Sequence, residues 1–158
     1  MTVHTRFVTA DDLPQLIEMI SDLARFNDDE PQLNLHDLQR DMLGLQPWCT
    51  VIVAEAAQTD LLGYAALFPL GQLQFGRRGM DLHHLFIPAS ARGQGVGSKL
   101  IEACRAQAKA LGCTFLTVGT APGNHRAAAF YESRGFIRRT RNAPRFAMEL
   151  IGPDQPPT

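Results

Sequence analysis

Met80-Asp81-Leu82-His83-His84-Leu85-Phe86-Ile87 runs into Pro88-Ala89-Ser90-Ala91 and then into Arg92-Gly93-Gln94-Gly95-Val96-Gly97-Ser98. The first of these segments reads as a strand, which Pro88 ends by removing a backbone donor. From Gly95 to Leu111 the residues Val96, Leu100, Ile101, Cys104, Ala108 and Leu111 return at helical spacing, with Lys99, Glu102, Arg105 and Lys109 on the opposite side. Gly112 closes that helix. A strand, a glycine-rich turn and an amphipathic helix thus follow one another directly. Glycines let the backbone bend sharply, and the unpaired amides at a helix start favour an anion such as a phosphate or pyrophosphate.

On the N-terminal side, Arg6 to Val8 predicts a short strand, and Thr9 with Asp12 three residues on predicts a capped helix start. Leu13, Leu16, Ile17, Ile20, Leu23 and Ala24 then give a helix with one buried face, ending near Phe26. After the acidic loop Asp28-Asp29-Glu30-Pro31, a shorter helix is expected from Leu35 to Leu43, ended by Gly44. Thr50 to Glu55 and Leu61 to Phe68 read as an antiparallel strand pair, and Gly76 to Gly79 as a basic turn. On the C-terminal side, Thr114 to Val118 predicts a strand and Asn124 to Arg134 a short helix stopped by Gly135. One or two final strands are expected from Phe136 onward through Phe146 to Leu150. Helices alternating with strands imply an α/β layered domain with a mixed sheet.

The length of 158 residues and 45% hydrophobic content suit one core, and neither a repeat nor a low-complexity block divides the chain. A single domain over residues 1–152 with a frayed tail over 153–158 is expected. Fifteen basic against sixteen acidic residues give a net charge of -1, so no global positive field invites nucleic acid or an anionic membrane. Cys49, Cys104 and Cys113 form neither an even disulfide framework nor a C-x-x-C pair, which points to a reducing compartment. The opening residues lack a basic start followed by an apolar stretch, and the apolar run from Leu61 to Leu70 is too short to span a bilayer. A cytoplasmic protein without a membrane partner is expected.

Two phosphate-binding patterns can be tested against the glycine turn. A P-loop needs Gly-Lys-Ser/Thr, whereas the chain reads Gly97-Ser98-Lys99. The dinucleotide fingerprint aligned on Gly93 and Gly95 needs glycine where Ser98 stands, and it belongs on a first βαβ unit, not at mid-chain. What remains, R-x-x-G-x-G between a strand and a helix, resembles the pyrophosphate motif of the GNAT superfamily of acyl-CoA-dependent N-acetyltransferases. Asn124, Ala127, Phe130, Tyr131, Gly135 and Phe136 resemble that family's second signature, N-x-x-A-x-x-F-Y followed by G-F. The order of elements from Arg6 to Leu150 is similar to the family fold. Within it, Ile20 to Phe26, the acidic loop and Leu82 to Ile87 look most like the diamine (polyamine) acetyltransferase branch.

The resemblance implies a mixed, mostly antiparallel sheet of about six or seven strands flanked by helices, with a central parallel pair splayed to take acetyl-CoA. It implies a coenzyme A site in which Arg92, Gly93, Gln94, Gly95, Val96, Gly97 and Ser98 form the phosphate arm. The backbone at Leu85, Phe86 and Ile87 would meet pantetheine and thioester, and Asn124 and Ala127 would belong to the same site. Tyr131 occupies the position of the family's general acid, which protonates the departing thiolate. Since an ammonium has no lone pair, a base or water chain must take its proton. His83 stands where the diamine enzymes place a carboxylate. Either His83 or its neighbour His84 can accept a proton near neutrality, His83 being preferred, and strand alternation predicts that the two point to opposite faces.

Asp28, Asp29 and Glu30 offer attraction for a cationic amine, although such charge runs are usually solvated loops. His84 is a further candidate substrate contact. No third ligand stands beside the histidines, so no metal site is expected. Arg138, Arg139 and Arg141 read as surface residues and Cys104 as core. The expected activity is acetyl transfer from acetyl-CoA to a small primary amine (a diamine, polyamine or amino acid-like molecule) in a ternary complex, by a homodimer. The alternatives are a noncatalytic acyl-CoA sensor or interaction module and an acetyltransferase acting on protein amino groups.

Overall fold

The computed structural model of this chain describes residues 1–57, 60–140 and 143–150. Strand β1, His4–Phe7, leads through a short 3-10 turn into helix α1, Leu13–Phe26. The predicted cap is there: the Thr9 amide and hydroxyl both donate to Asp12 Oδ2, at 2.8 and 3.2 Å. Arg6 clamps this corner, donating to both oxygens of Asp12 at 2.8 and 2.9 Å and to both of Glu55 at 3.0 and 2.9 Å. The guanidinium, with help from the Thr9 donors, holds the Asp12 carboxyl below its ordinary pKa. Helix α2, Leu35–Leu43, begins at Asn34, whose side chain accepts from the Asp37 amide at 2.9 Å.

The sheet continues with β2, Thr50–Glu55, β3, Gly63–Gln72, and β4, Arg77–Phe86. Helix α3, Val96–Ala110, crosses over to β5, Phe115–Val118, and helix α4, His125–Ser133, follows. Spatial order is β1-β2-β3-β4-β5, antiparallel throughout except for the parallel β4/β5 pair. Parallel neighbours cannot be joined by a tight turn, so α3 serves as the crossover.

Alternation along the strands sends side chains to two cores. Ile52, Ala65, Leu67, Met80 and Leu82 pack with Val96, Leu100, Ile101 and Cys104 of α3. Val51, Val53, Tyr64, Ala66 and Phe86 pack on the other face with Leu13, Leu16 and Met19 of α1. The sheet is therefore covered on both faces, and among the described residues no helix is long and apolar enough to cross a membrane.

The strand count differs from expectation. Among the described residues five strands form instead of six or seven, because the segments 134–140 and 143–150 beyond α4 adopt no strand. Phe146, Met148 and Leu150 do alternate, but an extended segment becomes a strand only when an edge accepts its amides and carbonyls, and among the described residues no strand pairs with this one. Residues 153–158 and Arg141 lie outside the described residues. Arg138 is exposed and paired with Glu132 at 2.7 Å. Cys104 is buried against the sheet as expected, and burial pushes its thiol up to about 12.

Candidate active site

Pairing between β4 and β5 runs from Gly79↔Phe115 to Leu82↔Val118 and stops there. His83 to Phe86 continue β4 with no partner on the β5 side, so the two strands part and a cleft of about 640 Å³ opens beside them. Leu85, Phe86 and Ile87 line it.

Where β4 parts from β5 it also carries a bulge. Ala66 faces His84 and Leu67 faces Leu82, which leaves His83 as the extra residue. The bulge cancels one step of alternation, so His83 and His84 share a face. Their rings stack with centroids 4.3 Å apart and planes at 14°. The expectation that they point to opposite faces is thereby overturned. Phe68 meets the His83 ring edge-on at 4.9 Å. The Tyr64 hydroxyl lies 3.0 Å from His84 Nδ1. Burial, and secondarily the His83 ring, push His84 down to about 4, so it is neutral at physiological pH. Both histidines line the cleft.

At the start of α3, Gly93 and Gly95 adopt positive φ of 75° and 79°, a region where an L side chain is strained. A Cβ at either would meet nothing within 4 Å. The turn therefore presents bare backbone, and the amides of Gly93 to Ser98 donate to no acceptor among the described residues. Arg92 lines the cleft and braces the strand end, its Nε donating to the Ile87 carbonyl at 3.0 Å. Gln94 does not face the cleft, because its side chain turns back to the Ser90 carbonyl at 3.3 Å. Gly93, Gly95, Val96, Gly97 and Ser98 all line the cleft. Gly97 also lets Phe130 approach closely, since a Cβ there would stand 3.1 Å from that ring.

Helix α4 forms the far wall. The Asn124 side-chain oxygen caps it, accepting from the Ala127 amide at 3.1 Å, which leaves the amide nitrogen as the side chain's free donor. Tyr131 packs between Phe130 and Phe136, each 5.7 Å away, and burial raises its pKa. Its hydroxyl has no partner among the described residues and borders the cleft.

Of the acidic trio, Asp28 borders a shallow neighbouring depression with Phe26, Asn27, Ala121, Gly123 and Asn124, while Asp29 and Glu30 border neither space. Among the described residues no carboxylate lines the main cleft, whereas Arg92, Arg126 and Arg134 do. Among the described residues, no cluster of three or more His, Cys, Asp or Glu side chains could hold a metal ion.

Sequence reasoning missed Tyr64, Asn27, Arg126 and Arg134. Arg126 lies within the Asn124–Tyr131 signature and Arg134 three residues beyond it, so both could have been found from that position. Tyr64 gave no signal, because a tyrosine within an apolar strand reads simply as core.

Comparison with known proteins bears on the chemistry. The chain is 26% identical over 133 residues to the thialysine N-epsilon-acetyltransferase of Bos taurus, covering 78% of each. It is 28% identical over 145 residues to the mycothiol acetyltransferase of Jonesia denitrificans, covering 89% of this chain and 44% of that one. Among solved structures, an integron cassette protein from the mobile metagenome of V. cholerae superposes with a TM-score of 0.72 at 24% identity, covering 94% of this chain and 93% of that one. An aminoglycoside acetyltransferase from an uncultured soil metagenomic sample gives 0.74 at 19% identity, covering 93% and 96%. These structural likenesses establish the fold. The profile of the Acetyltransferase (GNAT) family matches residues 13–136, a span holding the parted strands, the glycine turn and the Asn124–Tyr131 helix, and the chain therefore belongs to that family of N-acetyltransferases.

Proposed function

We propose that this protein moves the acetyl group of acetyl-CoA to the primary amine of a small molecule by direct attack in a ternary complex. The family uses acetyl-CoA as cosubstrate, and the chain's residues fit that molecule. The unpaired amides from Gly93 to Ser98 at the α3 start, with Arg92 beside them, suit its diphosphate. The unpartnered β4 edge from His83 to Phe86 offers backbone groups to its amide-bearing arm. When bound, acetyl-CoA supplies an activated acyl carbon. His83 takes a proton from the incoming ammonium, and the Tyr131 hydroxyl gives one to the departing sulfur.

Direct transfer is favoured over an acyl-enzyme because the cysteines are ill placed for attack. None lines the cleft, and burial pushes Cys49 up to about 11 and Cys104 up to about 12. The lining of the cleft, which holds no carboxylate among the described residues, supports one acceptor class over another. A diamine or polyamine would bring a second positive charge that finds no counter-charge inside, so an amino acid-like amine fits better than a dication. The relative named for thialysine agrees with that choice. A homodimer, and a cytoplasmic setting in keeping with three unpaired cysteines, complete the proposal.

The observation that carries the reading is the row of free amides at a helix start beside the open strand edge. Titration calorimetry with acetyl-CoA, followed by thiol release over amino acids, diamines, aminoglycosides and peptides, tests it. Binding and release with an amino acid-like amine are expected. No binding at millimolar acetyl-CoA ends the proposal, and cofactor binding without turnover on any amine turns it into an acyl-CoA sensor.

A further inference from the structure

The hydrogen bond between Tyr64 and His84 Nδ1, 3.0 Å long, has a sense that its surroundings dictate. Tyr64 is fully buried, and the core around it is made of Val8, Leu13, Leu16, Met19, Val53 and Phe86. Were Nδ1–H the donor, the phenol proton would be stranded among apolar side chains, since the hydroxyl has no other partner among the described residues. Leaving such a donor unsatisfied costs about 1–3 kcal/mol. With the phenol as donor, both the hydroxyl and Nδ1 are satisfied. The phenol also keeps its proton, because burial raises the pKa of Tyr64. Nδ1 then accepts, so the proton of the neutral ring must reside on Nε2.

We propose that Tyr64 is a positioning residue that locks His84 as its Nε2–H tautomer, so that His84 meets the cleft only as a hydrogen-bond donor and His83 is left as the ring that accepts the amine's proton. The second half of this rests on the acetyl-transfer reading. The bulge makes the division of labour possible by bringing both rings onto one face and stacking them at 4.3 Å. Two charged imidazoles at that distance would repel, whereas a protonated His83 over a neutral ring is tolerated. The balance of the transfer is then complete. The ammonium passes one proton to His83, and its freed electron pair forms the N–C bond. The C–S bond breaks with its pair going to sulfur, which takes the Tyr131 phenolic proton. The second amine proton returns to Tyr131 through solvent. His84 Nε2–H meanwhile donates to an oxygen of the acceptor, a contact that an amino acid-like amine provides and a bare diamine lacks.

The test begins without substrate. Long-range proton–nitrogen spectra of the 15N-labelled full chain, with His84 assigned by comparison with His84→Gln, should show a pyrrole-type Nε2 and a pyridine-type Nδ1 near neutral pH. Tyr64→Phe removes one oxygen from a position whose ring stays packed, and it should average the two nitrogen signals toward a mixture of tautomers. With an amine that turns over, Tyr64→Phe should lower kcat about tenfold while the KM for acetyl-CoA moves less than about twofold. Protonation of His84 at Nδ1 in the parent protein, tautomer signals unchanged in Tyr64→Phe, or an unchanged kcat would each overturn the proposal. If no amine on the panel is acetylated, the transfer reading falls, while the spectra still decide whether Tyr64 holds the tautomer.

Discussion

Tyr131 is held by its ring between two aromatic rings while lining the cleft, so removing its phenolic oxygen leaves those ring contacts in place. Tyr131→Phe is expected to lower kcat about 10²-fold, within the range for a lost general acid, with acetyl-CoA affinity changed less than about twofold by calorimetry. His84 gives a second residue-level outcome, in stability. Burial and the His83 ring hold it near 4 in the folded chain, against 6.5 for the free side chain. Between those values the unfolded chain binds the extra proton, so this contribution is whole above about pH 6.5 and drains away as pH falls toward about 4. Allowing for its partial exposure, the loss is about 1–2 kcal/mol. Urea unfolding at about pH 7.5 and about pH 5 should show that drop in the parent protein and a smaller one in His84→Gln. Asp12, held below its ordinary pKa by Arg6, loses its own contribution only at still lower pH. The His84 loss should therefore set in at higher pH than that of Asp12.

At the level of elements, α2 and β2 lie where periodicity and caps place them, and α1, α3 and α4 agree to within a residue or two at the ends. Each is specified locally, by a capping side chain such as Asn34 or Asn124 and by an apolar stripe that local spacing reveals. The glycine turn was legible for the same reason. Its positive φ angles are a requirement that only glycine meets without strain. Gly95→Ala should cost about 1 kcal/mol of stability through that strain. It should also raise the KM for acetyl-CoA more than it lowers kcat, because the turn is proposed to bind and not to react. Equal binding by Gly95→Ala and the parent protein in calorimetry would detach the turn from the cofactor. The bulge at His83 was not legible, since it depends on the register between β3 and β4, which no local pattern encodes. One inserted residue changes which side chains share a face, and so local pattern misplaces the two histidines relative to each other, although both line the cleft.

For the molecule as a whole, the α/β layering was legible in the pattern of strands and helices, because two apolar faces on the strands demand helices on both sides, whereas the parallel β4/β5 pair came only from the family resemblance. Sequence pattern overstated the sheet beyond α4. The alternation of Phe146, Met148 and Leu150 is a strand pattern, yet strand formation needs a partner edge, and these residues are 94%, 84% and 90% exposed. Among the described residues, β5 pairs only with β4, so its outer edge carries no strand. An unpaired edge and a row of exposed apolar side chains within the same chain are both costly in water. Association of two copies that covers such surfaces is the proposed homodimer's physical basis. Sedimentation equilibrium at micromolar concentration should give twice the chain mass. The double variant Phe146→Asp/Met148→Asp should fall to one chain mass while keeping its circular dichroism, since neither side chain is part of the two buried cores. A parent protein that sediments as a single chain, or a double variant that stays dimeric, would remove this segment from any interface.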